Sequence, residues 1–227
     1  MSQQLALDLE YRPALGADDF LLAACNRDAV AWLDRWPDWP APALTIHGPA
    51  GCGKTHMAQV WRARSGARIV GDITGNGTFA ALNVAESDGG CWVVDDLAAG
   101  FEEREFLHFF NMVAERGGHI LIAARTAPAR WPIALPDLRS RLVAAPAVAI
   151  GRPDDGLIGA VLVKLFADRQ LHVGAEVLSY MLARMERSFA AAHGLVAALD
   201  RHALATRRRV TIPLARDVME KYNDIGD

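Results

Sequence analysis

The sequence predicts an α/β fold, a parallel sheet sandwiched by helices, followed by a small all-helical module. Three observations carry this. Residues 48–55 read Gly-Pro-Ala-Gly-Cys-Gly-Lys-Thr, the G-x-x-x-x-G-K-T spacing of a phosphate-binding loop, set between an apolar strand and a helix. Strand-like apolar runs then alternate with amphipathic helical runs as far as Gly151. Beyond Gly151 only helical periodicity remains.

Bulk properties narrow the class. The 227 residues allow one large domain or two small ones, and a hydrophobic content of 52% is ample for a core. A net charge of −3 argues against polyanion binding by bulk attraction. Cys25, Cys52 and Cys91 lack C-x-x-C spacing, so they offer neither a zinc site nor a disulfide framework and suit a reducing cytosol. No apolar run approaches the ~20 residues needed to cross a bilayer. The N-terminus lacks a signal peptide's pattern. A cytoplasmic protein with no membrane partner is expected.

Taken in order, residues 1–13 come first. Leu5, Leu7 and Leu9 alternate with Ala6 and Asp8, an extended-chain period. Two readings stand: an edge strand on the core sheet, or a terminal peptide whose leucines fill a partner's apolar pocket. A helix follows within 16–40. Asn26 is its expected cap, Val30, Trp32, Leu33 and Trp36 form its apolar stripe, and Pro37 and Pro40 stop it. The tryptophans read as core. Residues 43–47 suit a short buried strand, and 56–64 the helix after the phosphate loop. In that loop backbone N–H groups wrap a polyphosphate at a helix N-terminus favourable to negative charge. Lys54 would reach the β/γ-phosphates and Thr55 would bind Mg²⁺. Gly48, Pro49, Ala50, Gly51, Cys52, Gly53, Lys54, Thr55 and His56 are therefore the nucleotide-binding candidates.

Residues 67–73 read as a second strand. The run 91–97, Cys-Trp-Val-Val-Asp-Asp-Leu, is a third and ends in two carboxylates. A buried strand delivers its last residues to the carboxyl edge of the sheet, where ligands of open α/β sheets bind. Asp95 would hold Mg²⁺ through water, and Asp96 would orient or deprotonate the attacking water. Paired acids after a strand also mark helix starts, but a phosphate loop upstream favours the chemical reading. Residues 101–116 form an amphipathic helix with Phe106, Phe109, Phe110 and Val113 on one face. Residues 119–124 form another apolar strand. In the 136–142 loop Arg139 and Arg141 flank Ser140. A plain surface loop is one reading. An arginine finger, with Arg141 reaching another subunit's γ-phosphate, is the other.

Past Pro153 the periodicity gives four helices. The first carries Leu157, Ile158, Val161, Leu162 and Leu165. The second, over 174–186, carries Leu178, Met181, Leu182 and Met185. The third starts near Ser188, and the fourth runs from Thr211 to near Tyr222. The basic run 207–209 is explained by a helix C-terminus. The expected domains are a 1–13 peptide, a 14–150 α/β base and a 151–227 helical lid.

This ensemble is similar to an AAA+ module. Ala24-Cys25-Asn26-Arg27, Val94-Asp95-Asp96 and Leu138-Arg139-Ser140-Arg141 resemble the DnaA family of replication initiators, over roughly 16–205. The initiator's helix-turn-helix and helicase-loading domains are not expected here. Gln4-Leu5-Ala6-Leu7-Asp8-Leu9 resembles the peptide that docks bacterial proteins on the replicative sliding clamp, through Gln4, Leu5, Leu7 and Leu9. Such a peptide ahead of a DnaA-like module resembles the Hda family of DnaA homologues. Leu199-Asp200-Arg201 and Thr211-Ile212-Pro213 resemble that family's lid.

The resemblance implies a negative regulator of replication initiation. Carrying ADP or ATP with Mg²⁺, it would dock on the DNA-loaded clamp of DNA polymerase III and promote hydrolysis on DnaA–ATP. Arg141 matches the finger position, and Arg187, with Arg184 nearby, the nucleotide-sensing lid arginine. DNA would be met mainly through the clamp, with self-association also expected. AAA+ proteins usually end the 119–124 strand with a polar residue; Ala123 and Ala124 stand there instead, which implies little turnover of the chain's own nucleotide. A self-sufficient P-loop ATPase and a DnaA-like DNA-associated motor or loader are the competing readings.

Overall fold

The computed structural model describes residues 21–70, 79, 82, 90–97, 101–206 and 209–224. The peptide carrying Gln4, Leu5, Leu7 and Leu9 lies outside the described residues, as do residues 71–73 of the expected second strand and 207–208 of the basic run. The described chain divides into two compact units, within Tyr11–Gly151 and within Arg152–Asp227.

The first unit is a parallel sheet of five strands, β1 (Ala43–His47), β2 (Arg68–Ile69), β3 (Cys91–Val94), β4 (His119–Ala124) and β5 (Ala147–Ala149), in the order β2-β3-β4-β1-β5. Helices α1 (Arg27–Asp34), α2 (Lys54–Ser65), α3 (Glu103–Glu115) and α4 (Pro136–Ala144) cover it. Strand alternation assigns each side chain to a face. Trp92, Val94, Ile120 and Ile122 pack with Phe106, Phe109, Leu138 and Leu142 of α3 and α4. Val93, Leu121, Leu44 and Ile46 pack with Leu33, Met57 and Trp61 of α1 and α2. Both faces are therefore buried, as continuous apolar strands require.

At the amino edge of the sheet, aromatic rings close the second of these cores. Trp39 stacks on Trp61 with centroids 5.3 Å apart and planes 19° apart. Trp36 meets Trp61 edge-on at 6.1 Å, and the His119 ring sits against Trp36 and Trp39 at 6.3 and 5.4 Å. The core role expected of the tryptophans in the 16–40 helix segment holds for this group.

Four local expectations are corrected. Asn26 precedes α1 but its side chain caps nothing ahead; its Oδ1 accepts from Ala23 N (2.8 Å) and its Nδ2 donates to Leu21 O (3.0 Å), bracing the incoming chain. The expected loop at 136–142 is helix α4, because Pro136 sits in its first turn and Leu138 and Leu142 supply a buried i, i+4 stripe. The described part of the second strand is only Arg68–Ile69, both exposed at the sheet edge. The expected 174–186 helix is shorter, Ala175–Leu182.

The second unit contains α5 (Asp155–Asp168), α6 (Ala175–Leu182), α7 (Phe189–Thr206) and α8 (Ile212–Asp224). Asp154 caps α5, its Oδ1 accepting from Leu157 N at 2.7 Å. Ser188 Oγ accepts from Ala191 N at 3.1 Å at the start of α7. Leu162, Val177, Met181, Leu195, Leu199 and Val218 belong to one core. Gly194 on α7 admits the Tyr222 ring, since a Cβ there would collide with the Tyr222 hydroxyl. No described helix is long and apolar enough to cross a membrane.

Candidate nucleotide-binding site

The phosphate loop leaves β1, an interior strand between β4 and β5, where main-chain bonds fix its base. Ile150 N donates to His47 O at 2.7 Å, and Gly48 N donates to Ala124 O at 3.1 Å. The loop thus starts wedged between the ends of β5 and β4. A side chain at Gly48 would collide with the Ile150 carbonyl oxygen. Gly51 and Gly53 adopt φ of 70° and 100°, the left-handed region open to glycine. Cys52 points inward, 2% exposed, and anchors the loop among Ile46, Met57 and Ile150.

Helix α2 begins at Lys54 with no acid in its first turn to offset the positive end of its dipole. The Lys54 ammonium folds over the loop and donates to Gly48 O (2.9 Å) and Pro49 O (2.8 Å). Phosphate oxygens are stronger acceptors than these neutral carbonyls. Thr55 and His56 are exposed on the same first turn. His47 titrates below an ordinary histidine because it is partly buried and lies near the Arg130 guanidinium.

The two acids follow β3. Asp95 is half-buried, whereas Asp96 is exposed with a left-handed φ of 53°. Leu97 N then donates to Ala123 O at 3.0 Å, which folds the chain back against β4 and keeps both carboxylates at the carboxyl edge. Thr55 and Asp95 carry the hard oxygen donors that Mg²⁺ prefers, and Mg²⁺ takes few ligands from protein. Among the described residues no group of three or more His, Cys, Asp or Glu forms a self-contained metal cage. Ala123 and Ala124 are buried at the end of β4, and the next side chain, Arg125, brings its Nε to 3.8 Å from Asp96 Oδ1.

On α4, Leu138 and Leu142 turn into the core and Arg139, Ser140 and Arg141 turn to solvent. Among the described residues the Arg141 guanidinium has no ion pair or hydrogen bond.

Known proteins share this fold. The family model described as "Hda, lid domain" matches residues 159–219. The chromosomal replication initiator protein DnaA of Thermoanaerobacter sp. (strain X514) is 24% identical over 232 residues, covering 92% of this chain and 52% of that protein. Domain III of the Thermotoga maritima replication initiation protein DnaA superposes with a TM-score of 0.73 at 18% identity, over 89% of this chain and 94% of that one. Together these matches support a Hda-like, DnaA-homologous AAA+ protein. The chain spans about half the length of the curated DnaA relatives it matches. A DnaA bound to AMPPCP and single-stranded DNA also shares this fold, with a TM-score of 0.63 at 20% identity over 83% of this chain and 66% of that one.

The structure brings residues 48–56, Asp95 and Asp96 to one edge of one sheet, and leaves Arg141 on a different helix of the same unit. Arg187 belongs to the helical unit, where Nε and an Nη nitrogen hold both oxygens of Asp155 at 2.6 and 3.1 Å. That pair depresses the Asp155 carboxyl and raises the Arg187 guanidinium. Arg184 instead covers the Tyr180 ring at 4.1 Å. Two features escaped the sequence reading: the Arg125–Asp96 pair, and a cavity of about 250 Å³ beside it that includes Phe101, Arg130 and Trp131. The only signal for either was the cluster Arg125, Arg130 and Trp131 just past β4.

Proposed function

We propose that this chain is a cytoplasmic negative regulator of chromosomal replication initiation, one that holds its own nucleotide and drives hydrolysis on a neighbouring DnaA–ATP. The observation that carries the reading is an exposed Arg141, presented on a helix whose other face is locked into the core of an AAA+ base. A guanidinium that stabilises charge on a neighbour's γ-phosphate must be rigidly mounted yet free at its tip. The Hda lid match favours a regulator over an initiator. The AMPPCP-bound DnaA of the same fold favours an adenine nucleotide in the phosphate loop.

In this mechanism residues 48–56 bind the chain's own ADP or ATP, with Lys54 on the phosphates. Thr55 and Asp95 would hold Mg²⁺, which when bound would supply neutralisation of phosphate charge. Asp96 orients water on that nucleotide. Arg187 reports from the lid once it exchanges Asp155 for a phosphate. Gln4, Leu5, Leu7 and Leu9 dock the chain on the sliding clamp of DNA polymerase III, so that DNA is met mainly through the clamp and DnaA is met at Arg141. Self-association through the same finger surface belongs to this reading.

The test follows decay of DnaA–ATP to DnaA–ADP with clamp, DNA and either wild type or Arg141→Ala. Loss of stimulation in the variant is expected, and equal rates would end the finger role. Separately, retention on immobilised clamp should be lost in Gln4→Ala; unchanged retention removes the docking peptide. A second reading, an independent P-loop ATPase, is favoured by the presence of Lys54, Thr55, Asp95 and Asp96 together in one α/β unit. Rapid ATP turnover by the purified chain without partners would select it.

A further inference from the structure

One contact at the carboxyl edge is unused by the mechanism above. Asp96 is a non-glycine residue at φ 53°, a region that aspartate enters more readily than most residues. Its carboxylate faces Arg125 at 3.8 Å, and both side chains are well exposed, 63% and 72%. The two residues follow adjacent parallel strands, with Val94 paired to Ile122 and Leu97 N bonded to Ala123 O, so the strand ends hold them side by side. Ala123 and Ala124 provide no polar group at the end of β4, and Arg125 is the first charged side chain there.

A carboxylate that orients water towards a terminal phosphate needs a free lone pair and a fixed direction. A neighbouring guanidinium competes for both. We propose that Arg125 is a positioning residue that draws Asp96 aside and so keeps hydrolysis of the chain's own nucleotide slow. The inference rests on the reading that residues 48–55 hold a nucleotide, and it adds a cause for a long-lived bound state. Exposed ion pairs are weak, so the restraint is small, about twofold to fivefold in rate. The cavity beside the pair, lined in part by Phe101, Arg130 and Trp131, gives the Arg125 side chain room to leave Asp96 without disturbing the core.

The experiment measures Mg–ATP affinity and single-turnover hydrolysis on the full chain, without clamp or DnaA. Arg125→Ala should raise the rate about twofold to fivefold. Arg125→Lys should keep the wild-type rate, and the gain should vanish when Arg125→Ala is combined with Asp96→Asn. Added salt should raise the wild-type rate towards that of Arg125→Ala, because an exposed pair is screened. A merely structural arginine would show neither the lysine rescue nor the salt convergence. An unchanged or lower rate in Arg125→Ala, with normal ATP affinity and a rate that falls in Asp96→Asn by itself, overturns the proposal alone. Failure of the wild-type chain to bind Mg–ATP overturns the phosphate-loop reading and this inference with it.

Discussion

In the phosphate loop, position comes from the main chain: Gly48 lies under the Ile150 carbonyl, Gly51 and Gly53 take left-handed turns, and Lys54 is tied to two loop carbonyls. On α4, two buried leucines fix the helix while Arg141 stands in solvent. The difference separates two kinds of functional residue. A group that cradles a ligand is part of the fold, and changing it disturbs both. A group offered to another molecule can be removed with little effect on the fold that carries it.

The largest expected effect tests the solvent side of this contrast. Arg141→Ala should lower stimulated DnaA–ATP hydrolysis by on the order of 10³-fold, about 4 kcal/mol of transition-state stabilisation. Its melting temperature should match wild type, since exposed side chains without partners contribute little. A large drop in melting temperature would break the contrast. Gly48→Ala tests the other side. The added methyl meets main-chain oxygen rather than a flexible tip, so stability should fall by about 1–3 kcal/mol. Titration with a fluorescent ATP analogue should show binding lost in parallel, and intact binding at reduced stability would uncouple the loop from the fold.

A smaller effect sharpens the comparison within the helical unit. Asp154→Ala removes the cap of α5 and should cost about 1 kcal/mol in urea unfolding, with Asp154→Asn keeping most of it. The smallest concerns acid. His47, His119 and His193 titrate below the ordinary histidine value, in each case first because of burial. The unfolded chain therefore takes up protons as pH falls through about 6.5, whereas the folded chain does so only at lower pH. Stability is full above that value and declines below it. The Asp155–Arg187 pair leaves this window clear, because a depressed carboxylate keeps its contribution until pH falls below about 4. Urea midpoints at pH 7.5 and 5.5 measure the decline, and His119→Gln should reduce it while His47 and His193 sustain the rest.

The parts of this molecule legible in its sequence are those where one residue type answers one local demand. The glycines of 48–53, the apolar runs of β1, β3 and β4, and the i, i+4 leucines and methionines of the lid are of this kind. The parts that were not legible depend on distant neighbours. Arg187 finds Asp155 thirty-two positions away, and Arg125 finds Asp96 only because β3 and β4 are adjacent. Helix α4 was misread because Arg139, Ser140 and Arg141 look like loop until Leu138 and Leu142 are given a core to enter. Asn26 was misread because its side chain serves the backbone behind it rather than the helix ahead. The placement of β5 beside β1, which closes the floor of the loop, is likewise a matter of topology.

The aromatic packing at the amino edge of the sheet has an optical consequence. Trp32, Trp36, Trp39, Trp61, Trp92 and Trp131 are all the tryptophans the chain has, and all lie in the Tyr11–Gly151 unit. Indole emission is therefore a private channel to the sheet-containing half, while circular dichroism hears both halves at once. Melting curves recorded by the two probes would separate if the halves come apart independently, and coincide if they yield together, with no dye or label added.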